Sequence, residues 1–311
     1  MNEHAAAGRD KFNWRSKLIN PVLDKEFRLR MRTPRAMWTL FFYLFALGLM
    51  SLSAIYLTQG MSGRGAAFNP EQSKVLFYFL SMAQLGLIAF MAPGLTAGVI
   101  SGEREKQTLN LLLTTQQSSA TIVLSKLVSS LSFMILIVFA TVPVYSMMFL
   151  YGGVSPKQLV LVFVFYLFMM IVLGSFGILF STLLKRTMIS VISTYGVTLF
   201  MFAGTAILFF VMQSVMDQAR AAGTISATTS YSWVGHIIAL NPVGALYSIL
   251  DPSISDQAFM VNRWSGNTQP KGAPMALWQE FMIVFGVLAI FANWMAIRHL
   301  RPRLRGRTGR K

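Results

Sequence analysis

The sequence has no cysteine and little charge. Of its 311 residues, 12% are Asp, Glu, Lys or Arg and 54% are hydrophobic. The missing cysteines exclude disulfides, thiolate metal sites and cysteine nucleophiles. The scarcity of charge and a mean hydropathy of +0.56 exclude an ordinary soluble domain. The composition therefore predicts an integral membrane protein.

Motifs for catalysis are also missing. No Gly-Lys dipeptide occurs, which excludes a phosphate-binding loop of the form G-x-x-x-x-G-K-[ST] and ATP hydrolysis by that route. The metalloprotease motif His-Glu-x-x-His and the hydrolase motif Gly-x-Ser-x-Gly are absent, and His4, His236 and His299 are scattered. We therefore predict no catalytic residues, no metal site and no cofactor in this chain, which is not expected to be an enzyme.

The apolar segments predict an all-α, polytopic fold. Six of them are long enough to cross a hydrocarbon core of about 30 Å, which takes about 20 helical residues. They lie at about 37–58, 75–100, 122–151, 158–184, 187–213 and 275–297. The predicted organisation is a basic leader at 1–35, a six-span membrane domain at 36–300 and a basic tail at 301–311.

The placement of the basic residues predicts the orientation. Most of the 27 Lys and Arg residues lie before the first span, between spans two and three, after span four or after the last span. The others lie in the remaining connections: Arg64, Lys74, Lys157, Arg220, Arg263 and Lys271. By the positive-inside rule, both termini are expected in the cytoplasm, with the protein in the plasma membrane. This distribution accounts for the net charge of +16 without a nucleic-acid partner.

The predicted spans are almost free of ionisable residues. Lys126 and Glu280 are the exceptions, and each is near a span end. Carriers driven by protons or sodium keep charged groups at membrane depth, so this class is disfavoured. A channel or a polytopic enzyme is disfavoured too, because no charged ring or catalytic cluster lines the spans. If the protein moves a substrate, the energy is expected from another polypeptide.

The stretch from Gly98 to Lys126 is the most charged part of the chain between its two ends. It predicts an amphipathic helix at the membrane surface, with a charged start and leucines at helical spacing. The residues concerned are Glu103, Arg104, Glu105, Lys106, Leu109, Leu112 and Leu113. The alternative is a loop that only caps a transmembrane hairpin.

Three other patterns add to this organisation. Residues 18–35 predict a basic amphipathic helix in the membrane interface, or else a solvated leader that only sets orientation. The connection 214–274 contains an apolar piece at 232–250, which Asn241–Pro242 should break into a re-entrant or interfacial helix pair. Gly94, Gly98 and Gly102 form a small-residue stripe that serves either packing within the subunit or a dimer seam.

Three segments resemble the membrane permeases of ABC-2 type ATP-binding-cassette exporters. Residues 20–28, N-P-V-L-D-K-E-F-R, are similar to the leader that forms an elbow helix before the first span. Residues 101–115, S-G-E-R-E-K-Q-T-L-N-L-L-L-T-T, with 122–127 after them, are similar to the coupling segment between spans two and three. Asn241–Pro242 resembles an element that precedes the last span. In this chain Gln107, Asn110, Gln116 and Ser125 replace the usual Gly, Glu, Pro and Gly.

The resemblance implies a division of labour between subunits. Two permease subunits, identical or not, would form the substrate path in contact with membrane lipid, and separate ABC ATPase subunits would bind ATP and magnesium. A coupling helix at 102–117 would dock on the ATPase. The residues carried over are Glu103, Arg104, Glu105, Lys106, Thr108, Leu109, Leu112 and Leu113 for coupling, and Lys25, Glu26, Phe27 and Arg28 for the elbow helix.

The expected function is that of the transmembrane subunit of an ATP-driven exporter for an amphipathic drug, peptide or lipid-like compound. The alternative is a membrane component that anchors or regulates an ATPase without transporting anything.

Overall fold

The computed structural model describes residues 34–62, 70–109, 118–150, 152–223, 232–259 and 274–300, and the regular structure in these ranges is helical. The helices are α1 Pro34–Ser62, α2 Pro70–Thr96, α3 Ser101–Glu105, α4 Ser119–Ala140, α5 Val142–Leu150, α6 Pro156–Leu183, α7 Thr187–Leu199, α8 Thr205–Ala221, α9 Gly235–Ala239, α10 Pro242–Leu250, α11 Ser253–Phe259 and α12 Leu277–Leu300. A π-helical segment, Phe200–Gly204, joins α7 to α8.

Five helical stretches in the described residues are long and apolar enough to cross a membrane. They are Pro70–Glu105, Ser119–Ser146, Pro156–Leu183, Thr187–Ala219 and Leu277–Leu300. They confirm predicted spans two to six as apolar helices. The first predicted span lies in α1, whose apolar part Met37–Ser53 is shorter than the other five stretches. The count of six spans therefore stays a prediction.

Local sequence signals explain where several helices begin. Ser155 accepts a hydrogen bond from the amide of Gln158 and the Gln158 side chain accepts one from the amide of Ser155, which forms a capping box before Pro156. Ser118 accepts a hydrogen bond from the amide of Thr121 at the start of α4. Each cap satisfies a backbone donor that the first helical turn leaves free.

Helix α6 is the centre of the bundle. It packs against α2, α4, α7 and α12. Phe165, Tyr166 and Met169 on α6 are fully buried in the main core. The backbones of α6 and α2 approach so closely that a Cβ at Gly177 would overlap the side chain of Thr96. Because α6 contacts most of the other spans, a displacement of its end would move the helices packed against it.

The third predicted span is interrupted at Thr141. Helix α4 ends at Ala140 and α5 begins at Val142, one residue before a proline that cannot donate a backbone hydrogen bond. The Thr141 hydroxyl accepts a hydrogen bond of 3.0 Å from the buried side chain of Gln84 on α2. Both side chains are fully buried, so this hydrogen bond joins α2 to the break between α4 and α5.

The glycine stripe packs within the subunit. A Cβ at Gly94 would lie 3.0 Å from the hydroxyl of Tyr195, and one at Gly98 would lie 3.1 Å from Thr187. Both neighbours belong to α7 of the same chain. Of the two roles that the sequence left open, the structure supports packing of α2 on α7.

The apolar piece 232–250 forms the predicted broken pair. Helix α9 ends at Ala239 and α10 begins at Pro242, so the break at Asn241–Pro242 is confirmed. The two helices have five and nine residues and are too short to span a bilayer.

The predicted elbow helix with Lys25, Glu26, Phe27 and Arg28 lies outside the described residues, as do Leu112, Leu113 and the basic tail.

Candidate functional site

The charged segment that follows α2 forms the candidate site. Four turn residues, 97–100, separate α2 from α3, and the backbone continues in the same direction through Glu105. Glu103, Arg104 and Glu105 therefore lie at the end of the second apolar helix. Helix α3 begins at Ser101 and has Glu103 in its first turn. Residues 110–117 lie outside the described residues, so the predicted helix over 102–117 stays a prediction.

Gln107 ends α3 by its backbone conformation. Its φ is 58°, in the left-handed region that L residues other than glycine rarely adopt. A left-handed residue directly after the helix is a common way to end one, and glycine is usual there. Gln107 occupies the position where the resembling permeases have glycine. The chain is helical again at Thr108 and Leu109.

Ser181 on α6 caps the start of α3. Its hydroxyl oxygen accepts hydrogen bonds from the amides of Ile100 (2.8 Å) and Ser101 (2.9 Å). The first amides of a helix have no partner within the helix, so a side chain from another element can supply one. Ser181 and Ser101 are both fully buried. This contact joins α3 to the end of the central helix.

Glu103 forms an ion pair with Lys126 on α4. The Lys126 Nζ atom lies 2.5 Å from Glu103 Oε1, and the two side chains are 3% and 29% exposed. A buried ammonium group without an anion beside it is strongly unfavourable, so removing Glu103 alone is more disruptive than losing a surface pair. The pair connects α3 to the third predicted span.

Arg104 and Glu105 bind the connection between α6 and α7. The Arg104 guanidinium donates hydrogen bonds to the carbonyl oxygens of Thr182 (3.0 Å) and Leu184 (3.4 Å), which lie at the end of α6. Glu105 Oε1 accepts a hydrogen bond of 2.7 Å from the amide of Thr187, the first residue of α7. Each charge has the sign that the neighbouring helix end favours, a cation at the carboxyl end and an anion at the amino end.

The remaining described residues of the segment divide by exposure. Lys106, Gln107 and Thr108 are exposed, as is Glu105 before them, whereas Leu109 is 5% exposed and belongs to the main core. Leu109 therefore fixes the segment to its own bundle and offers no surface to a partner in this structure. The segment has an inner side that contacts α4, α6 and α7 and a small outer surface around Lys106.

Sequence reasoning missed the inner partners of the segment. Lys126 stood out as an ionisable residue near a span end, but nothing in the pattern paired it with Glu103. Ser181 and Thr187 carried no signal, because one is a serine in an apolar helix and the other follows a short basic connection. These three residues are 20 to 90 positions away from α3, and only the folded bundle brings them to it.

The other end of the bundle has a second polar joint, centred on Asn241. Its side-chain oxygen accepts a hydrogen bond of 2.8 Å from the amide of Val243 and caps α10. Its side-chain nitrogen donates to the carbonyl of Phe202 (2.8 Å) and to the hydroxyl of Thr205 (2.9 Å). Phe202 lies in the π-helical segment, where the regular helical bonding pattern is shifted. The sequence indicated the break at Asn241 and gave no sign of the π segment.

Two further features lie near this end. His236 Nδ1 is 2.8 Å from Glu280 Oε1, which connects α9 to the start of α12. A cavity of about 580 Å³ opens between the ends of α6, α10, α11 and α12, with Lys157, Asp256 and Trp278 in its lining. Within the described ranges, no three His, Cys, Asp or Glu residues converge as metal ligands do.

The fold and the site together define a multi-pass helical membrane protein in which the charged segment after α2 is bound to three neighbouring helices. The sequence profile of the ABC-2 family transporter proteins matches residues 20–300. The chain belongs to this family, which makes it the membrane component of a transporter. Comparison with curated proteins gave no significant match.

Proposed function

We propose that this chain is the transmembrane permease subunit of an ATP-driven exporter. It forms the substrate path with a second permease subunit and receives motion from a separate ABC ATPase, which binds ATP and magnesium. The segment 102–117 is the point of coupling, and the substrate is an amphipathic drug, a peptide or a lipid-like compound.

The observation that carries this proposal is the way α3 is held. Glu103, Arg104 and Glu105 each bind a different neighbouring element, and Ser181 caps the first turn. A flexible loop would absorb a push from a partner, because it could bend without moving the helices on either side. A segment bound to α4, α6 and α7 passes the same push to all three.

The exposure of the helices supports a path for an amphipathic substrate. In the most apolar 18 residues of Thr187–Ala219, 22% of the residues are buried. The corresponding share is 44% to 50% in the three candidate spans before it. Large apolar side chains such as Phe200, Ile207 and Phe210 are exposed along it. This face is available to lipid, to a second subunit and to an apolar substrate.

Reconstitution tests the proposal. The tagged chain is purified from its native membranes, the bound P-loop ATPase is identified by mass spectrometry, and both are placed in vesicles with fluorescent amphipathic dyes as substrates. We expect ATP-dependent movement of a dye and stimulation of ATP hydrolysis by the same dye. The control carries an ATPase whose P-loop lysine is replaced.

Stable association without stimulation by any dye would instead support a membrane anchor or regulator. If no P-loop ATPase co-purifies at all, the proposed coupling is wrong.

A further inference from the structure

The geometry of α3 points to a division of roles within the coupling segment, and this inference rests on the proposed function. We propose that Glu103, Arg104 and Glu105 are positioning residues that act inside the permease, where they transmit motion. The ATPase docks on the outer surface formed by Lys106, Gln107 and Thr108.

The charged side chains of α3 already bind groups of their own chain. The Glu103 carboxylate is 2.5 Å from a lysine that is 3% exposed, and Arg104 and Glu105 bind backbone atoms at two helix ends. A partner that took over the Glu103 carboxylate would have to break its contact with the buried Lys126 ammonium. That is costly, so docking through Glu103 opposes the stability of the bundle.

The residues directly after α3 are accessible to a partner subunit. Glu105 is exposed, but its carboxylate already accepts a hydrogen bond from the amide of Thr187. Lys106, Gln107 and Thr108 are also exposed and follow α3 directly. The left-handed backbone at Gln107 ends α3 and turns the chain within this exposed stretch. Leu109 returns to the core immediately afterwards. The outer surface is thus a short exposed stretch between α3 and the buried Leu109.

The contacts of α3 connect it to the ends of three other helices. Lys126 lies in the first two turns of α4, Ser181 and Thr182 lie in the last turn of α6, and Thr187 is the first residue of α7. A displacement of α3 therefore acts on the ends of three helices through short polar contacts. Among these contacts the Glu103–Lys126 pair joins two side chains, so it can be exchanged by substitution.

A charge exchange tests the division of roles. The double variant Glu103→Lys/Lys126→Glu restores an ion pair inside the permease but reverses the charge that a docking partner would meet at position 103. The variants Glu103→Gln and Lys106→Glu are compared with it. Lys106→Glu changes the outer surface and leaves the inner contacts of α3 intact.

Two readouts separate docking from transmission. Docking is measured as co-purification with the P-loop ATPase identified above. Transmission is measured by electron paramagnetic resonance as the ATP-driven change in distance between spin labels at Phe149→Cys and Val215→Cys. Both positions are exposed and lie at the far end of the bundle, and the chain has no native cysteine.

We expect Glu103→Gln to co-purify with the ATPase but to lose the ATP-driven distance change. We expect the double variant Glu103→Lys/Lys126→Glu to show the distance change again. We expect Lys106→Glu to lose the ATPase. If Glu103→Gln does not fold, the test rests on the double variant Glu103→Lys/Lys126→Glu. A folded double variant that shows no ATP-driven distance change overturns the inference.

Loss of co-purification in Glu103→Gln that the exchange does not repair would also overturn it, because Glu103 would then be a docking charge. That result leaves the proposed function intact. The proposed function itself is contradicted by the wild-type chain, either if it binds no P-loop ATPase or if no dye stimulates ATP hydrolysis by the bound ATPase.

Discussion

Asn241 donates a hydrogen bond of 2.8 Å from its side-chain nitrogen to the backbone carbonyl of Phe202. The same side chain caps α10 through its oxygen. One buried amide therefore satisfies the start of one helix and an irregular turn of another. The α9–α10 pair and the α7–α8 stretch are joined by this side chain, at the end of the bundle opposite α3.

Replacing Asn241 tests this double role. We expect Asn241→Ala to lower the free energy of unfolding by about 2 kcal/mol, since it removes a helix cap and leaves a buried carbonyl without its donor. Asn241→Ser keeps a capping oxygen but is too short to reach Phe202, so its loss should be smaller and still measurable. Thermal unfolding in detergent measures both. A serine variant as stable as wild type would show that the bond to Phe202 contributes nothing.

The backbone of Gln107 gives a prediction of opposite sign. Because φ is 58°, we expect Gln107→Gly to stabilise the protein by about 1 kcal/mol by relieving left-handed strain. Gln107→Ala, which keeps a Cβ, serves as the control and should give no such gain. Equal effects of glycine and alanine on the melting temperature would argue against strain at this residue.

The packing of α2 on α7 predicts different tolerance along the glycine stripe. We expect Gly98→Leu to destabilise the protein by about 1–3 kcal/mol, because its side chain would press on Thr187 at a distance already tight for a single carbon. Gly102→Ala has more space, with its nearest neighbour at 3.8 Å, and should be tolerated. Melting temperature and subunit number are measured together. A changed subunit number with unchanged stability would indicate a dimer seam instead.

The cap that Ser181 provides predicts an effect on α3 without any change of charge. We expect Ser181→Ala to cost about 1–2 kcal/mol of stability, because two buried amides lose their acceptor. Ser132→Ala is the matched control, since the Ser132 hydroxyl binds the Ser129 carbonyl of its own helix. The two variants are compared by thermal unfolding. Equal losses in both would mean that the link from α6 to α3 adds no stability.

The sequence predicted features that depend on residues close together in the chain better than features that depend on distant ones. Apolar length predicted spans two to six, and the Asn241–Pro242 pair predicted the break before α10, because both signals are local in the chain. The charged segment at 103–106 was evident from the sequence, and its role in coupling stays a prediction. Helical spacing from Glu103 to Leu113 suggested one amphipathic helix, whereas the backbone at Gln107 ends α3 after Glu105.

The role of single residues depended on neighbours that the pattern could not supply. Leu109 has the spacing of an exposed docking face, but it is buried in the core. Glu103 has the position of a docking charge, but a lysine 23 residues away holds it. In both cases the side-chain type is compatible with either arrangement, and the packing of the helices determines which contacts the side chain makes.

The sequence alone determined that this chain is a helical membrane protein, that it lacks a phosphate-binding loop, and that its internal charge is concentrated at 103–106. These properties follow from residue composition and spacing, which do not depend on packing. The tertiary structure alone decided that Gly94 on α2 and Gly98 in the turn after it pack on α7, that Asn241 binds the π segment, and that α3 is bound to α4, α6 and α7. Each of these is a contact between residues far apart in the chain, and such contacts form only when the helices assemble around α6.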